Sequence, residues 1–273
     1  MHRSIEEIEF TIFDTETTGL SPEDGDRIVE LAALRFRGNK RLATFSTLVN
    51  PQRAISEAAF AVNKITPEML RSAPGIKEVM PGFLDFIKGS CLCSYNAPFD
   101  LKFIDSELAL MGRKPLEDII VVDALKMARR LLASQERYAL WFVAEKLGVT
   151  GRQEHRALSD VEITLEVFSR LKEIFLLKNI GDFSVFVSLF AINPHIVDNL
   201  NAQKISQIQE AIDLGVKLRI KYLTSSGGAV SEREVEPKGI KIENRRHYLV
   251  GYCHLRNEER TFRIDGILHL EII

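Results

Sequence analysis

A chain of 273 residues, 45% of them apolar and 27% charged, with a net charge of −2, has the composition of an ordinary globular protein of one or two domains. No run approaches the roughly 18 uninterrupted apolar residues of a membrane span. The near-zero net charge also excludes the strong basic field by which many nucleic-acid binders announce themselves. The polar, acidic stretch Met1 to Glu9 is not a signal peptide. Cys91, Cys93 and Cys253 are odd in number and lack metal-type spacing, so they read as reduced, mostly buried thiols of a cytoplasmic protein. Charge divides unevenly. Residues 1–203 carry 24 Lys+Arg against 28 Asp+Glu (24 − 28 = −4), and residues 204–273 carry 12 against 10 (12 − 10 = +2). An acidic first part suits nucleic-acid chemistry only where metal neutralises some of its carboxylates.

The first element is an apolar, β-prone run (Ile8, Phe10, Ile12) leading into Phe13-Asp14-Thr15-Glu16-Thr17-Thr18-Gly19-Leu20. Asp14 and Glu16 fall at or just past the end of a strand. Residues two apart on a strand share a face, so the carboxylates converge, and a hard divalent cation relieves the repulsion between them. An Asp-x-Glu pair alone is also what an ordinary polar strand end looks like. Residues 27–37 (RIVELAALRFR) and 42–49 read as two further strands of an antiparallel meander. Thr66-Pro67 starts a helix as N-cap and first helical residue, and Val79 to Ile87 forms a short amphipathic helix. Cys91 to Tyr95 is a short strand, followed by a turn over Asn96-Ala97-Pro98-Phe99-Asp100 and a helical pattern to Met111. The β-branched run Ile119 to Val122 is the best candidate for a central strand. Helices follow over 124–132, 138–147 and 157–176. Alternating strands and helices imply an α/β layer fold.

A second constellation is Glu154-His155-Arg156-Ala157-Leu158-Ser159-Asp160. On a regular helix His155 and Asp160 would stand about 140° apart. Both reach one point only if His155 lies in the loop entering the helix and Asp160 in its second turn. A histidine before a helix is by itself often a cap or surface residue. A carboxylate on an otherwise apolar helix face, by contrast, needs a partner.

The blocks FDTETTGL, SYNAPFD and HRALSD, in this order and separation, resemble the three motifs of DnaQ-like (DEDDh) 3′–5′ exonucleases. RIVELAAL and ITPEML are similar to the family as well, and the likeness covers about residues 7–177. The resemblance implies a ribonuclease H-like mixed sheet flanked by helices. It implies catalytic residues Asp14, Glu16, Asp100, His155 and Asp160, the four acids holding two Mg²⁺ or Mn²⁺ ions. It also implies that Thr17, Thr18, Gly19, Leu20, Asn96 and Phe99 contact substrate, with Leu20 wedged against the terminal base. Tyr95 stands where the family often has His. Four carboxylates suit two hard cations that clamp the attacking and leaving oxygens of a phosphodiester, and an imidazole can take a proton from water near neutral pH.

From 179 to 205 the chain reads as a connector carrying some helix; Ser188-Leu189-Phe190 within it is a packing segment. After that come short strands at about ten-residue spacing: VKLRIKYLT, a turn at Ser225 to Gly228, REVEPKGIKI, a turn at Glu243 to Arg246, HYLVGYCHL and ERTFRIDGILHLEII. They indicate a small β-barrel. Tyr222, Arg233, Pro237, Tyr248 to Tyr252 and Arg260 to Arg263 resemble a WYL domain, an SH3-like barrel of bacterial regulatory and DNA-damage-linked proteins. His247 replaces the name-giving Trp, and Gly266 stands where an Arg often follows the Asp. The resemblance implies that Tyr222, Arg233, His247, Tyr248, Arg260 and Arg263 bind nucleic acid or a nucleotide-like ligand, arginine serving phosphate and tyrosine a base.

The expected division is an exonuclease domain (1–178), a connector (179–205) and a WYL-like domain (206–273). The expected function is metal-dependent removal of nucleoside monophosphates from single-stranded 3′ ends, of DNA rather than RNA, in the cytoplasm and without a membrane partner. The alternative is a ligand-gated regulatory nucleic-acid-binding protein whose nuclease domain is secondary or gated.

Overall fold

The computed structural model describes residues 3–132, 135–150, 154–224, 228–244 and 246–273. Parts of the turns expected at Ser225 to Gly228 and Glu243 to Arg246 therefore lie outside the described residues. The first sheet is mixed, with strand order β3-β2-β1-β4-β5. Strands β1 (Glu9–Thr17), β2 (Ile28–Arg37) and β3 (Lys40–Leu48) form the expected antiparallel meander, while β4 (Cys91–Ser94) and β5 (Val121–Asp123) run parallel to β1; the short helices α1 (Glu57–Asn63) and α2 (Pro67–Leu70) follow β3.

The alternation of β1 sorts its side chains between two cores. Phe10 and Ile12 join the cluster that includes Val161, Val167 and Phe168 of α7 (Ala157–Leu176), whereas Phe13 joins Met80 and Phe83 of α3 (Ile76–Ile87) and Phe103 of α4 (Ala97–Leu110). Phe10 lies 5.0 Å from Phe168, ring centre to ring centre, and 5.8 Å from Phe36. Each such aromatic pair contributes on the order of 1 kcal/mol beyond the area it buries. The even-numbered face that carries Phe10 and Ile12 continues into Asp14 and Glu16, so both acids emerge on the α7 side. Packing of β1 against α7 thus decides where the carboxylates point.

Three expectations are corrected. Strand β5 is an edge strand, not a central one. Its outer edge is covered by the chain at 191–193: the Ile192 N–H donates to the Val121 carbonyl (2.9 Å), and the Val121 N–H donates to Asn193 Oδ1 (2.9 Å). With its polar groups satisfied and its side chains buried, β5 needs the same apolar composition as a central strand. The expected turn over 96–100 is shorter. Asn96 alone, at φ 69°, reverses the chain, and Ala97 to Asp100 are already the first turn of α4, with Pro98 near its start. Asp100 is placed by helix, not loop. Asp160 likewise falls in the first turn of α7 rather than the second.

Helices α5 (Ala124–Leu131), α6 (Leu140–Lys146) and α8 (Phe183–Phe190) complete the α7-side layer. Helix α9 (Pro194–Leu214) begins inside the expected connector and runs on into the C-terminal region, where Ile208 and Ala211 enter a separate core. That core is lined by an antiparallel sheet of order β10-β6-β7-β8-β9: β6 (Leu218–Leu223), β7 (Val230–Glu243), β8 (Arg246–Cys253), β9 (Glu258–Arg263) and β10 (Ile267–Ile272). The last expected strand, 259–273, is divided by a single 3-10 turn, Ile264–Gly266. Leu223 and Leu268 leave this second core and pack into the first. Lys204 ties the same junction, donating to the Ile267 carbonyl at 2.6 Å. All three cysteines are buried and free, and burial pushes the Cys91 and Cys93 thiols up, away from thiolate reactivity. Among the described residues no helix is long and apolar enough to cross a membrane.

Candidate active site

Asp14, Glu16 and Asp160 each offer a carboxylate oxygen, and these oxygens lie within 4.8 Å of one another. Three hard oxygen donors at that spacing fit a divalent cation such as Mg²⁺. Asp100 approaches from the opposite layer. It sits on α4, against the odd-numbered face of β1, where its Oδ1 accepts from the Thr15 N–H (3.0 Å) and Thr15 Oγ1 (2.7 Å) and its Oδ2 from Ser94 Oγ (2.5 Å). The strand end is therefore gripped from both sides. Asp100 remains close enough to be the strongest charge acting on Asp14.

Electrostatics show the cost of this arrangement. Burial first, and then Asp100, Glu16 and Asp160, hold the Asp14 carboxyl well above the usual carboxylate range. Burial, then Asp160 and Glu30, push Glu16 to about 8, against a lowering hydrogen bond from Asn63. Asp100 rises to about 6 because burial outweighs its donors Ser94 and Thr15. Such a cluster keeps protons unless a cation replaces them.

Several supporting residues were not singled out from sequence. Glu30 is buried on β2 opposite Glu16. It accepts from Arg156 Nε (3.0 Å) and Nη2 (2.7 Å) and from the Ala157 N–H (3.0 Å), and so pins the N-terminus of α7 beside β1. Its signal was legible: a lone carboxylate within the apolar strand IVELAAL must have a partner. Asn63 donates to the Thr17 carbonyl at 3.3 Å. Glu107 binds Arg27 bidentately, at 2.7 and 2.6 Å, anchoring α4 to the start of β2. These long-range pairs carry no local signature.

The Thr17 to Leu20 turn is shaped by Asp26. The Asp26 carboxylate accepts from Thr18 Oγ1 (2.9 Å) and the Ser21 N–H (3.2 Å), and a Cβ at Gly19 would come 2.2 Å from its Oδ2. A side chain at Gly19 would push that carboxylate off Thr18 and Ser21. Thr17 and Thr18 are buried, whereas Leu20 is 81% exposed, an apolar side chain presented to solvent by a rigid turn. His155 occupies the loop before α7, exposed and at φ 52°. Asn96 is exposed, its N–H donating to Asp123 Oδ1 at 3.0 Å, and half-buried Phe99 packs on Phe103 at 5.1 Å.

The C-terminal candidates are spread over the second sheet, with Arg233 and Tyr222 both packed on Phe262. Arg233 is buried in the second core, with its guanidinium 5.7 Å from the centre of the Phe262 ring and 3.7 Å from Cys253 Sγ. Tyr222 packs edge-on to Phe262, and its hydroxyl accepts from the Arg263 N–H at 3.4 Å. Arg263 pairs with Asp265 (Nε to Oδ1, 3.0 Å) and faces Tyr248 across β8 and β9. Arg260 is exposed and paired with Glu258, and His247, half-buried, lies opposite Ile242 at the start of β8.

Comparison with known proteins agrees with these elements. An exonuclease family model matches residues 11–168 and a WYL domain model matches residues 203–272. The chain is 39% identical over 168 residues to a DNA polymerase III subunit epsilon of Treponema pallidum, covering 61% of this chain and 77% of that one. It is 36% identical over 202 residues to a DNA polymerase III subunit epsilon-like protein of Rhodobacter capsulatus, covering 72% of this chain but only 28% of the relative's length. An E. coli exonuclease I–single-stranded DNA complex shares the fold at a TM-score of 0.57, with 16% identity, over 97% of this chain and 64% of that one. The chain belongs to the DnaQ-like exonuclease family, with a WYL domain following the exonuclease domain.

Proposed function

We propose that this protein is a metal-dependent 3′–5′ exonuclease that releases nucleoside monophosphates from nucleic-acid ends, single-stranded DNA above all. The observation that carries the reading is the gathering of Asp14, Glu16 and Asp160 within 4.8 Å, with Asp100 delivered to the same strand end from the other layer. The names of the relatives, polymerase III epsilon subunits and a single-stranded DNA nuclease, point to DNA.

In this reading the four acids hold two divalent cations, Mg²⁺ or Mn²⁺, which when bound neutralise charge at the scissile phosphate and lower the pKa of water. His155 accepts the proton of the attacking water as its oxygen bonds to phosphorus, the P–O3′ bond breaks, and the departing O3′ takes a proton from solvent to become a new 3′ hydroxyl. A histidine on an exposed loop can swing into place and return its proton to solvent after each cycle. Thr17 to Leu20 seat the terminal nucleotide, Leu20 lying against its base, while Asn96 and Phe99 line the other side. The C-terminal domain engages the strand through its cations. The domain limits we propose are 1–178, 179–205 and 206–273, with α9 bridging the last two.

Digestion of end-labelled single-stranded DNA and RNA with Mg²⁺ or Mn²⁺ tests the reading. The expected outcome is a ladder receding from the 3′ end, blocked by a 3′ phosphate and stopped by chelator. Cleavage from 5′ ends, within a circle or in excess chelator would overturn it.

A further inference from the structure

We infer that the junction between the two domains holds a phosphate-binding site, built by Lys126, Arg129 and Arg130 of α5 together with Arg246 and Arg263 of the second sheet. These residues and Asp123 line a cavity of about 330 Å³. Its width is ample for a tetrahedral oxyanion with some of its water.

Charge is the first support. Five cations face two carboxylates, and both carboxylates are already engaged. Asp123 Oδ1 accepts from the backbone N–H groups of Asn96 and Leu125, each at 3.0 Å. Asp265 is held by Arg263 and lies 3.5 Å from Arg130 Nη1. A cationic excess of three is left around a partly buried cavity, which is costly without an anion. Burial pushes the Lys126 ammonium down to about 8, Asp265 opposing the shift and Arg130 and Arg263 adding to it, and its Nζ donates to the Ala191 carbonyl at 2.8 Å.

Arg130 is the second. Its side chain is more than nine-tenths buried, yet its Nε has no hydrogen-bond partner among the protein groups around it. The same guanidinium lines the cavity and is paired with Asp265 at 3.5 Å, and the planar fork of arginine matches phosphate. The third is Gly266. A Cβ there would approach Tyr222 Cε2 to 2.8 Å and Arg130 Nη2 to 3.1 Å. The C-terminal domain therefore leaves out a side chain at the point where the guanidinium of the exonuclease domain enters.

Position supplies the last support. Asp123 closes β5, Ser94 closes β4, and Asp14 and Glu16 lie near the end of the parallel neighbour β1. Two strand spacings, about 10 Å, separate β1 from β5 along the sheet. A nucleic acid whose 3′ end lies at the carboxylates can bring a backbone phosphate to the cavity, and a free nucleotide or inorganic phosphate offers the same chemistry. The strand as source rests on the function proposed above; the site itself does not.

The test uses the full chain in EDTA, comparing wild type with the double variant Arg129→Gln/Arg246→Gln. Both positions are exposed and lie outside the carboxylate cluster. Binding of a labelled single-stranded DNA dodecamer is followed by anisotropy against salt, and thermal unfolding is followed against inorganic phosphate. If the cavity takes a strand phosphate, the double variant binds the dodecamer more weakly, and its log K against log salt slope falls by up to about 1.4, roughly 0.7 for each cation removed. Arg246→Lys alone, which keeps the charge, retains most of the slope. If the cavity takes a free phosphate, inorganic phosphate raises the unfolding temperature of wild type but not of the variant, and the slopes agree. A wild type that ignores the dodecamer but is stabilised by phosphate upholds the site while sinking the strand as its source. Equal slopes together with equal phosphate responses in wild type and variant overturn the site.

Discussion

The acidic cluster at the end of β1 and the basic cluster at the domain junction are two partly buried gatherings of like charge on the same end of one sheet, balanced in opposite ways. Around Asp14, Glu16 and Asp160 the nearest charges are further carboxylates, Asp100 and Glu30, and every one of them raises the Asp14 pKa. At the junction Asp265 sits among the cations, and its pKa is held below the usual carboxylate range by Arg130 and Arg263 against its burial. At the first cluster the cation Arg156 is taken up by Glu30, and the carboxylates depend on a ligand for their ionised form. The second is compensated in part by Asp265 and keeps an excess of cations. Removing one of the three clustered carboxylates should therefore help the apo fold, whereas removing Asp265 from among the cations should harm it.

The largest expected effect is on chemistry at the first cluster. Asp14→Asn should reduce hydrolysis of end-labelled DNA to background while raising the unfolding temperature in EDTA by about 2–4 °C per kcal/mol of repulsion relieved. A variant that is inactive and also less stable in EDTA would break the contrast. His155→Ala should slow the chemical step by about 10² to 10⁴ with little effect on stability, because the side chain is exposed. Single-turnover rates check it, alongside an unchanged Mg²⁺ requirement.

The pH dependence sharpens the comparison further. Glu16 titrates at about 8 in the fold and near 4.3 when unfolded. Between those values the native state keeps a proton that the unfolded state has released, so stability is highest at the acid end and is lost as pH rises through 8. Melting in EDTA should show that decline, and excess Mg²⁺ should reverse it. A smaller effect is expected from Glu30→Gln. It leaves Arg156 without its carboxylate and should cost about 1–3 kcal/mol, with activity lost beyond that as the N-terminus of α7 loosens. Denaturant unfolding and the rate at saturating metal separate the two. Smallest is Leu20→Ala, within about 0.5 kcal/mol in stability because the side chain is exposed. Its mark should be a several-fold rise in KM.

Much of the site was legible in the chain because its parts are local. The i, i+2 spacing of Asp14 and Glu16 on a strand, the helix pattern from 157 to 176 and the loop placement of His155 follow from backbone periodicity alone. The meander of β1 to β3 followed from short loops. The edge position of β5 did not, since a strand covered by residues 191–193 has the same apolar composition as a central one. Nor did the capture of Glu30 by Arg156, 126 residues away in the chain.

By itself the sequence determined which residues could do chemistry and on which face of its own element each would stand, because side-chain direction repeats with the local backbone. Only the tertiary structure decided which faces meet. It brought Asp160 to Asp14 through the packing of α7 on Phe10, sent Asp100 to the same strand end from the opposite layer, and withdrew Arg233 into a core while setting Arg263 against α5. Such meetings depend on contacts between distant segments, whose free energy is spread over many residues and written in no single stretch of chain.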